Sequence, residues 1–326
     1  MTKTAVPVGG GDPGAETFRR LSCKSEQFDV GVPTVDGKVV IVTGATDGIG
    51  RATAKGLAAR GASVTIVGRN PLKGNAAVAG IRADTGNNAV RFHQADLSSQ
   101  SDVRRLARAI MTQGDRLDVL VNNAGGLFAS RMVSVDGIEM TFALNHLAYF
   151  LLTNLLLEQL RATPGARIVN VASHAHVGTD LDIDDLQFSH RYNGWTAYKR
   201  SKLCNLLFTY ELARKLGNEG PTVNALHPGF VRSHLGQGGT DNSAFWRSVA
   251  TLVFRFAAAI TPEKGAETSI HLAASPDLAG VTGKYFTPGV SGKSRSPGRA
   301  ATSSAVSRDP DIAARLWEIS AELTSL

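Results

Sequence analysis

Residues 39–50 read VVIVTGATDGIG: four β-branched residues, then a loop with glycines at 44, 48 and 50. A run that is apolar on both faces suits a parallel strand covered by helices on either side. Residues 51–60, RATAKGLAAR, have the composition of the helix that should follow. In such a strand-turn-helix the glycines permit a tight turn and close approach by a ligand, while free N–H groups and the positive dipole at the helix start attract anions. The stretch therefore implies a dinucleotide, held by its pyrophosphate. Many tight βα turns contain glycines, however, and the TGxxxGxG spacing departs from the commoner G-x-G-x-x-G. The rest of the chain must supply the chemistry.

Working outward, residues 62–67 (ASVTIV), 89–95 (AVRFHQA), 117–121 (LDVLV), 166–172 (ARIVNVA), 222–226 (TVNAL) and 283–287 (GKYFT) read as further strands, separated by helical stretches such as 71–85. This alternation predicts an α/β fold: a single-domain, Rossmann-like, doubly wound parallel sheet of about seven strands with helices on both faces. Residues 1–35, with GGGDPG at 9–14, read as a flexible arm, and the domain occupies 36–326. Residues 288–306 read as a mobile loop. Asp309-Pro310 opens a terminal helix over 309–324, with Ile312, Leu316, Ile319 and Leu323 on one face.

The second strand ends in Gly68-Arg69-Asn70. Selectivity for NAD(H) ordinarily places a carboxylate here for the ribose 2′-hydroxyl, whereas an arginine accommodates a 2′-phosphate. Arg69 therefore predicts NADP(H), with Arg51 as a second cation; its alternative is a solvated loop position. Asp47 brings a carboxylate to the same region, or serves as the N-cap of the helix behind it. The fourth strand closes in NNAG, residues 122–125, whose small residues let backbone lie against a cofactor.

The fifth strand delivers Ser173 at its carboxyl end, the side on which open α/β sheets bind ligands. His174 and His176 follow at once; two histidines without further ligands imply pocket or surface positions rather than a metal site. Residues 198–202, YKRSK, place Tyr198 and Lys202 at i and i+4 of a helix, with Cβ atoms about 6 Å apart on one face. A free phenol titrates near pH ~10, and a neighbouring ammonium favours the phenolate, which should draw Tyr198 toward the operating pH of proton transfer. Residues 137–157, GIEMTFALNHLAYFLLTNLLL, form a strongly apolar helix in which Asn145, set among Phe142, Leu144, Leu147 and Phe150, is either a capped or solvent-facing side chain or a functional one.

TGxxxGxG, NNAG, a strand-end serine and YxxxK in this order resemble the short-chain dehydrogenases/reductases. NHLAYF at 145–150, Lys202-Leu203-Cys204-Asn205, HPGFVRS at 227–233, GKYF at 283–286 and RLWEISAEL at 315–323 resemble the retinol-dehydrogenase-like group within them. The resemblance covers residues 36–326 apart from an apparent insertion at 288–306. It implies a catalytic tetrad of Asn145, Ser173, Tyr198 and Lys202, with Asn145 bending its helix and holding a water in a proton relay. It also implies cofactor contacts from Gly44, Thr46, Asp47, Gly48, Ile49, Gly50, Arg69, Asp96, Leu97, Asn123, Ala124, Gly125, Tyr198, Lys202, Val231 and Ser233. Asp96 would meet the adenine amino group, or cap a helix starting near Ser98; Val231 and Ser233 would meet the nicotinamide carboxamide. The implied activity is NADP(H)-dependent hydride transfer at a carbonyl carbon. The alternative is a nucleotide-sensing binding protein without turnover, against which the intact tetrad argues.

Residues 245–260, FWRSVATLVFRFAAAI, carry two arginines and fall short of the ~20 apolar residues that span a bilayer. They read as a substrate lid within about 233–262, or as packing against the core or a second subunit of a homo-oligomer. As a lid they favour a bulky, lipophilic ketone, aldehyde or secondary alcohol. The formal net charge of +7 is scattered along the chain and its flanks without a basic, aromatic-interleaved patch, which points away from nucleic acid. Cys23 and Cys204 cannot build a disulfide framework, and residues 1–20 carry no apolar leader or anchor. A cytoplasmic enzyme without a transmembrane segment is expected.

Overall fold

A computed structural model describes residues 34–114, 116–231, 260–289 and 297–326. Ser233 and nearly all of the expected lid lie outside the described residues, as do the arm up to residue 33 and the stretch 290–296.

The run that opens the fold is β1 (Val39–Thr43), followed by α1 (Gly48–Ala58). Because side chains alternate along a strand, Val40 and Val42 enter one apolar layer and Ile41 the other, so β1 is buried on both faces. The fold reaches back to Val35, which is buried and donates its N–H to the Arg60 carbonyl at 3.1 Å. The chain then alternates through β2 (Ser63–Gly68), α2 (Pro71–Thr85), β3 (Val90–Gln94), α3 (Gln100–Met111) and β4 (Val119–Asn122). After the helices between β4 and β5 come β5 (Arg167–Val171), α7 (Gly194–Leu216), β6 (Thr222–Leu226), α8 (Pro262–Ala274), β7 (Lys284–Pro288), β8 (Gly298–Ala301) and α9 (Pro310–Thr324).

The sheet order is β3-β2-β1-β4-β5-β6-β7-β8, with every neighbouring pair parallel except β7 and β8. The strand order reverses between β1 and β4, and ligands of open α/β sheets bind outside the carboxyl ends at that point. One helical layer packs Leu106, Phe150, Phe208 and Leu212 on the sheet. The other packs Leu57, Ile81 and Leu272.

Two expectations need correcting. Among the described residues the sheet has eight strands rather than about seven, because part of the stretch read as a loop forms β8, antiparallel to β7 through Tyr285↔Ala301 and Phe286↔Ala300. Its sequence, GRAA, carries no β-branched or aromatic residue; the open edge of β7 makes it a strand. A Cβ at Gly298 would come within 2.9 Å of Thr268 Cγ2, so a small residue suits this docking. The helix expected over 137–157 is broken into α4 (Met140–Phe142), a π-helical turn (Ala143–Leu147), α5 (Ala148–Leu155) and α6 (Leu157–Arg161). Within the π turn the Ala148 N–H reaches back to the Ala143 carbonyl, which inserts an extra residue beside Asn145.

Helix α9 starts at Asp309, whose carboxylate accepts the N–H groups of Asp311 and Ile312. Leu316 is buried against Leu203 and Leu207 of α7, with Ile312, Ile319 and Leu323 packed on the same cluster. Trp317 meets Phe150 edge-on at 4.9 Å between ring centres. Burying aromatic side chains of this size at roughly 25 cal/mol per Å2 makes the helix part of the domain's core.

Candidate active site

A cleft of about 350 Å3 runs along the carboxyl ends of the strands. Its wall begins at the glycine loop. Gly44 has φ +63°, and a Cβ there would lie 2.6 Å from the Ala124 Cα, so the β1 and β4 loops touch through backbone. Thr43 Oγ1 staples them by accepting the N–H groups of Asn123 at 2.9 Å and Ala124 at 3.1 Å. The Asn123 amide returns the link to the carbonyls of Thr43 and Gly44. Asn122 points into the core, where its amide joins Thr153 and Asn170. The NNAG signature is thus a clamp on the glycine loop.

At the start of α1 the Asp47 carboxylate accepts the Gly48 N–H at 2.7 Å, the N-cap reading of this residue. Asp96 binds the N–H and hydroxyl of Ser98 at 3.0 and 2.7 Å. It does not cap the following helix: Ser99 is the N-cap of α3. Asp47, Asp96, Leu97 and Arg69 all line the cleft, together with Thr46, Gly48, Ile49, Gly50, Gly125 and Val231. Arg51 does not, since its guanidinium lies against Gly80 of α2.

Strand β5 and helix α7 bring Ser173, Tyr198 and Lys202 to the same cleft. The Ser173 hydroxyl accepts the Ala175 N–H at 3.2 Å. Burial raises Tyr198 above its ordinary pKa, and the Ser173 hydroxyl opposes this. Lys202 is 4% exposed and burial lowers it to about 7. Its ammonium donates to the Val171 carbonyl at 3.0 Å and sits over the rings of Tyr149 and Tyr198, at 5.6 and 5.9 Å from their centres. The expectation that Lys202 draws the phenol down is therefore not met by the protein's own groups. Desolvation acts on both side chains and favours the neutral form of each.

Asn145 is fully buried beside the cleft. Its Oδ1 accepts the Gly126 N–H at 2.8 Å, while Nδ2 donates to the Gly126 carbonyl and to Ser201 Oγ, both at 2.9 Å. Ser201 in turn donates to the Tyr198 carbonyl at 2.8 Å. The side chain thus ties the loop after β4 to the helix carrying Tyr198.

Several residues of the site are not legible in the motifs. Gly126, Phe128, Met140 and Leu144 add an apolar wall to the cleft. Trp195 is half exposed and stacks on Tyr198 at 5.6 Å and 16°. Its place one turn ahead of Tyr198 on α7 is the one sequence signal that could have marked it. Among the described residues, no cluster of three His, Cys, Asp or Glu side chains is placed to hold a metal, and no helix is long and apolar enough to cross a membrane.

A strand-end serine, a helical Tyr-x-x-x-Lys and a glycine loop facing one cleft define the machinery of a nicotinamide-dependent oxidoreductase. The sequence profile of the short chain dehydrogenase family matches residues 38–243. Human retinol dehydrogenase 13 is 42% identical over 295 residues, covering 90% of this chain and 86% of the relative. An uncharacterized protein from Mycobacterium paratuberculosis superposes with a TM-score of 0.71 at 33% identity, over 90% of this chain and 96% of that one. Pseudomonas aeruginosa RhlG, solved as a complex with NADP, does so at 0.62 and 28% identity, over 78% and 95%. The chain belongs to the short chain dehydrogenase family, in its retinol-dehydrogenase-like group, whose members are hydride-transfer oxidoreductases.

Proposed function

We propose that the protein is an NADP(H)-dependent oxidoreductase acting between the nicotinamide and a lipophilic ketone, aldehyde or secondary alcohol. The observation that carries this reading is the convergence of Ser173, Tyr198 and Lys202 on the cleft that the glycine loop opens. The loop suits a dinucleotide: a Cβ at Gly50 would strike the Asn123 amide and the Gly44 carbonyl, whereas Gly48 faces open space. The residues from Gly44 to Gly50 would hold the pyrophosphate, Asp96 and Leu97 the adenine, and Val231 the carboxamide. When bound, the cofactor supplies or accepts the hydride at the substrate carbon. Tyr198 gives the substrate oxygen its proton during reduction and takes it back during oxidation. Ser173 hydrogen-bonds that oxygen, Lys202 holds the nicotinamide ribose, and Asn145 supports the proton relay by fixing the loop at Gly126. The enzyme would work in a reducing cytoplasm, where a free, buried thiol such as Cys204 is ordinary. Mixing purified protein with NADPH and a panel of ketones and aldehydes tests the reading; cofactor binding without oxidation across the panel sinks it.

Cofactor choice rests on Arg69, which lines the cleft at the end of β2, and is supported by the NADP complex of RhlG. Arg69 is solvent exposed, so screening reduces the value of its pairing with a 2′-phosphate. Arg69→Ala is expected to weaken NADPH binding by about 5- to 20-fold and leave NADH nearly unchanged. Titrating both cofactors into both proteins checks this, and a wild type that prefers NADH contradicts it.

The substrate class rests on Phe128, Met140 and Leu144 in the cleft and on Trp195 beside Tyr198. Apolar groups withdrawn from water against such side chains gain roughly 25 cal/mol per Å2. A bulky apolar ketone is therefore expected to exceed a short polar one in kcat/KM by at least ~10-fold. The reverse ranking in a steady-state comparison would remove the lipophilic assignment.

A further inference from the structure

Ser173 is held by the 3-10 turn that follows it, His174–His176. Ala175 takes its side-chain oxygen. His176, fully buried, takes its carbonyl: Nδ1 lies 2.7 Å from the Ser173 oxygen. The other ring nitrogen, Nε2, lies 3.3 Å from the backbone nitrogen of Ser304, on the stretch between β8 and α9. A carbonyl can only accept and a backbone N–H can only donate, so the two partners require a neutral ring with its proton on Nδ1. Burial favours the same form by lowering the His176 pKa, with the Ser173 carbonyl opposing and His174 adding to the effect. The ring cannot swing away. Tyr285 of β7 meets it edge-on at 5.2 Å, and His227 stacks on Tyr285 at 5.9 Å. Behind Ser304, Ser303 is fixed by Tyr210 and Ser307, each at 2.7 Å.

We infer that His176 is a positioning residue for the reaction, holding Ser173 through its carbonyl and tying it through Ser304 to the segment behind β8. The inference rests on the proposed role of Ser173 at the substrate oxygen. The serine hydroxyl serves that oxygen only while its backbone keeps one orientation, and its carbonyl is the atom that His176 controls. Without the Nδ1–H, that carbonyl keeps only the longer bond from the His176 backbone N–H, at 3.3 Å, and the turn is held less firmly. A displacement of ~1 Å at a reacting centre costs about 100-fold in rate.

Two variants and one spectrum test this. His176→Leu keeps the bulk and removes both hydrogen bonds; His176→Asn keeps an amide N–H near the place of Nδ1–H. His176→Leu is expected to lower kcat by about 10- to 100-fold with the KM for NADPH within about twofold, and His176→Asn to recover most of the loss. Equal losses in both variants, an unchanged kcat in His176→Leu, or variants that fail to fold or to bind NADPH would each overturn the positioning role. Tyr198→Phe assayed alongside separates the two ideas: activity in that variant undermines the proposed reaction, whereas an inactive Tyr198→Phe beside a fully active His176→Leu undermines only this inference. The 15N spectrum of histidine-labelled wild type reads the tautomer without any turnover, and His176 protonated on Nε2 would refute it.

Discussion

Tyr198→Phe is expected to cut turnover by about 10²- to 10⁴-fold, the range that general acid–base catalysis ordinarily contributes. NADPH binding should stay within about threefold, because the ring that remains keeps its place. That ring is 8% exposed and stacked on Trp195, and the substitution deletes one oxygen from a position packed by the aromatic face rather than by the hydroxyl. Ser173, which acts on the titration of the phenol, retains the Ala175 N–H when the phenol is gone. Stability should therefore change little while the proton donor disappears. Single-turnover reduction of a ketone with pre-bound NADPH measures this directly. Substantial hydride transfer in the variant would assign the proton to another group.

Where a structural feature follows from side-chain pattern, the chain states it openly. The inner strands β1 and β4 are short apolar runs because both faces of the sheet are covered there, and the paired glycine and NNAG loops follow from the close backbone contact between Gly44 and Ala124. The order of Ser173, Tyr198 and Lys202 likewise puts all three on the cleft. What pattern does not carry is pairing between distant segments. Strand β8 has no strand-like composition and exists because β7 offers an edge. The π turn at Asn145 adds one residue to a helical turn, a backbone adjustment that the apolar composition of 137–157 does not signal. Arg51 matched the cofactor reading by position alone, yet its guanidinium rests on α2. His176 finds its acceptor three residues back and its donor 128 residues ahead, a separation that no local motif encodes. The electrostatics of the Tyr198 and Lys202 pair also depend on burial, which spacing along one helix does not reveal.

Lys202→Met is expected to stabilise the fold at neutral pH while reducing turnover at least 100-fold. Among the described residues the buried ammonium has no carboxylate partner; it has the Val171 carbonyl and the faces of Tyr149 and Tyr198. Desolvation takes its pKa from 10.5 in the ordinary side chain to about 7. Between those two values the unfolded chain holds a proton that the fold does not, so wild-type stability rises with pH across about 7 to 10.5 and carries the full penalty below that window. The difference corresponds to about 5 kcal/mol. The folded pKa already reflects what the contacts of the ammonium return, so a neutral side chain of similar length gains up to about that amount at pH 7. Urea unfolding of both proteins at pH 7 and pH 10.5 isolates this group from the others that titrate, because they are common to both. The advantage of Lys202→Met should be present at pH 7 and largely gone at pH 10.5. A variant less stable than wild type at pH 7, or an advantage that persists unchanged at pH 10.5, would mean that the ammonium is not the source of the strain, and that the site accommodates its charge by partners other than those three.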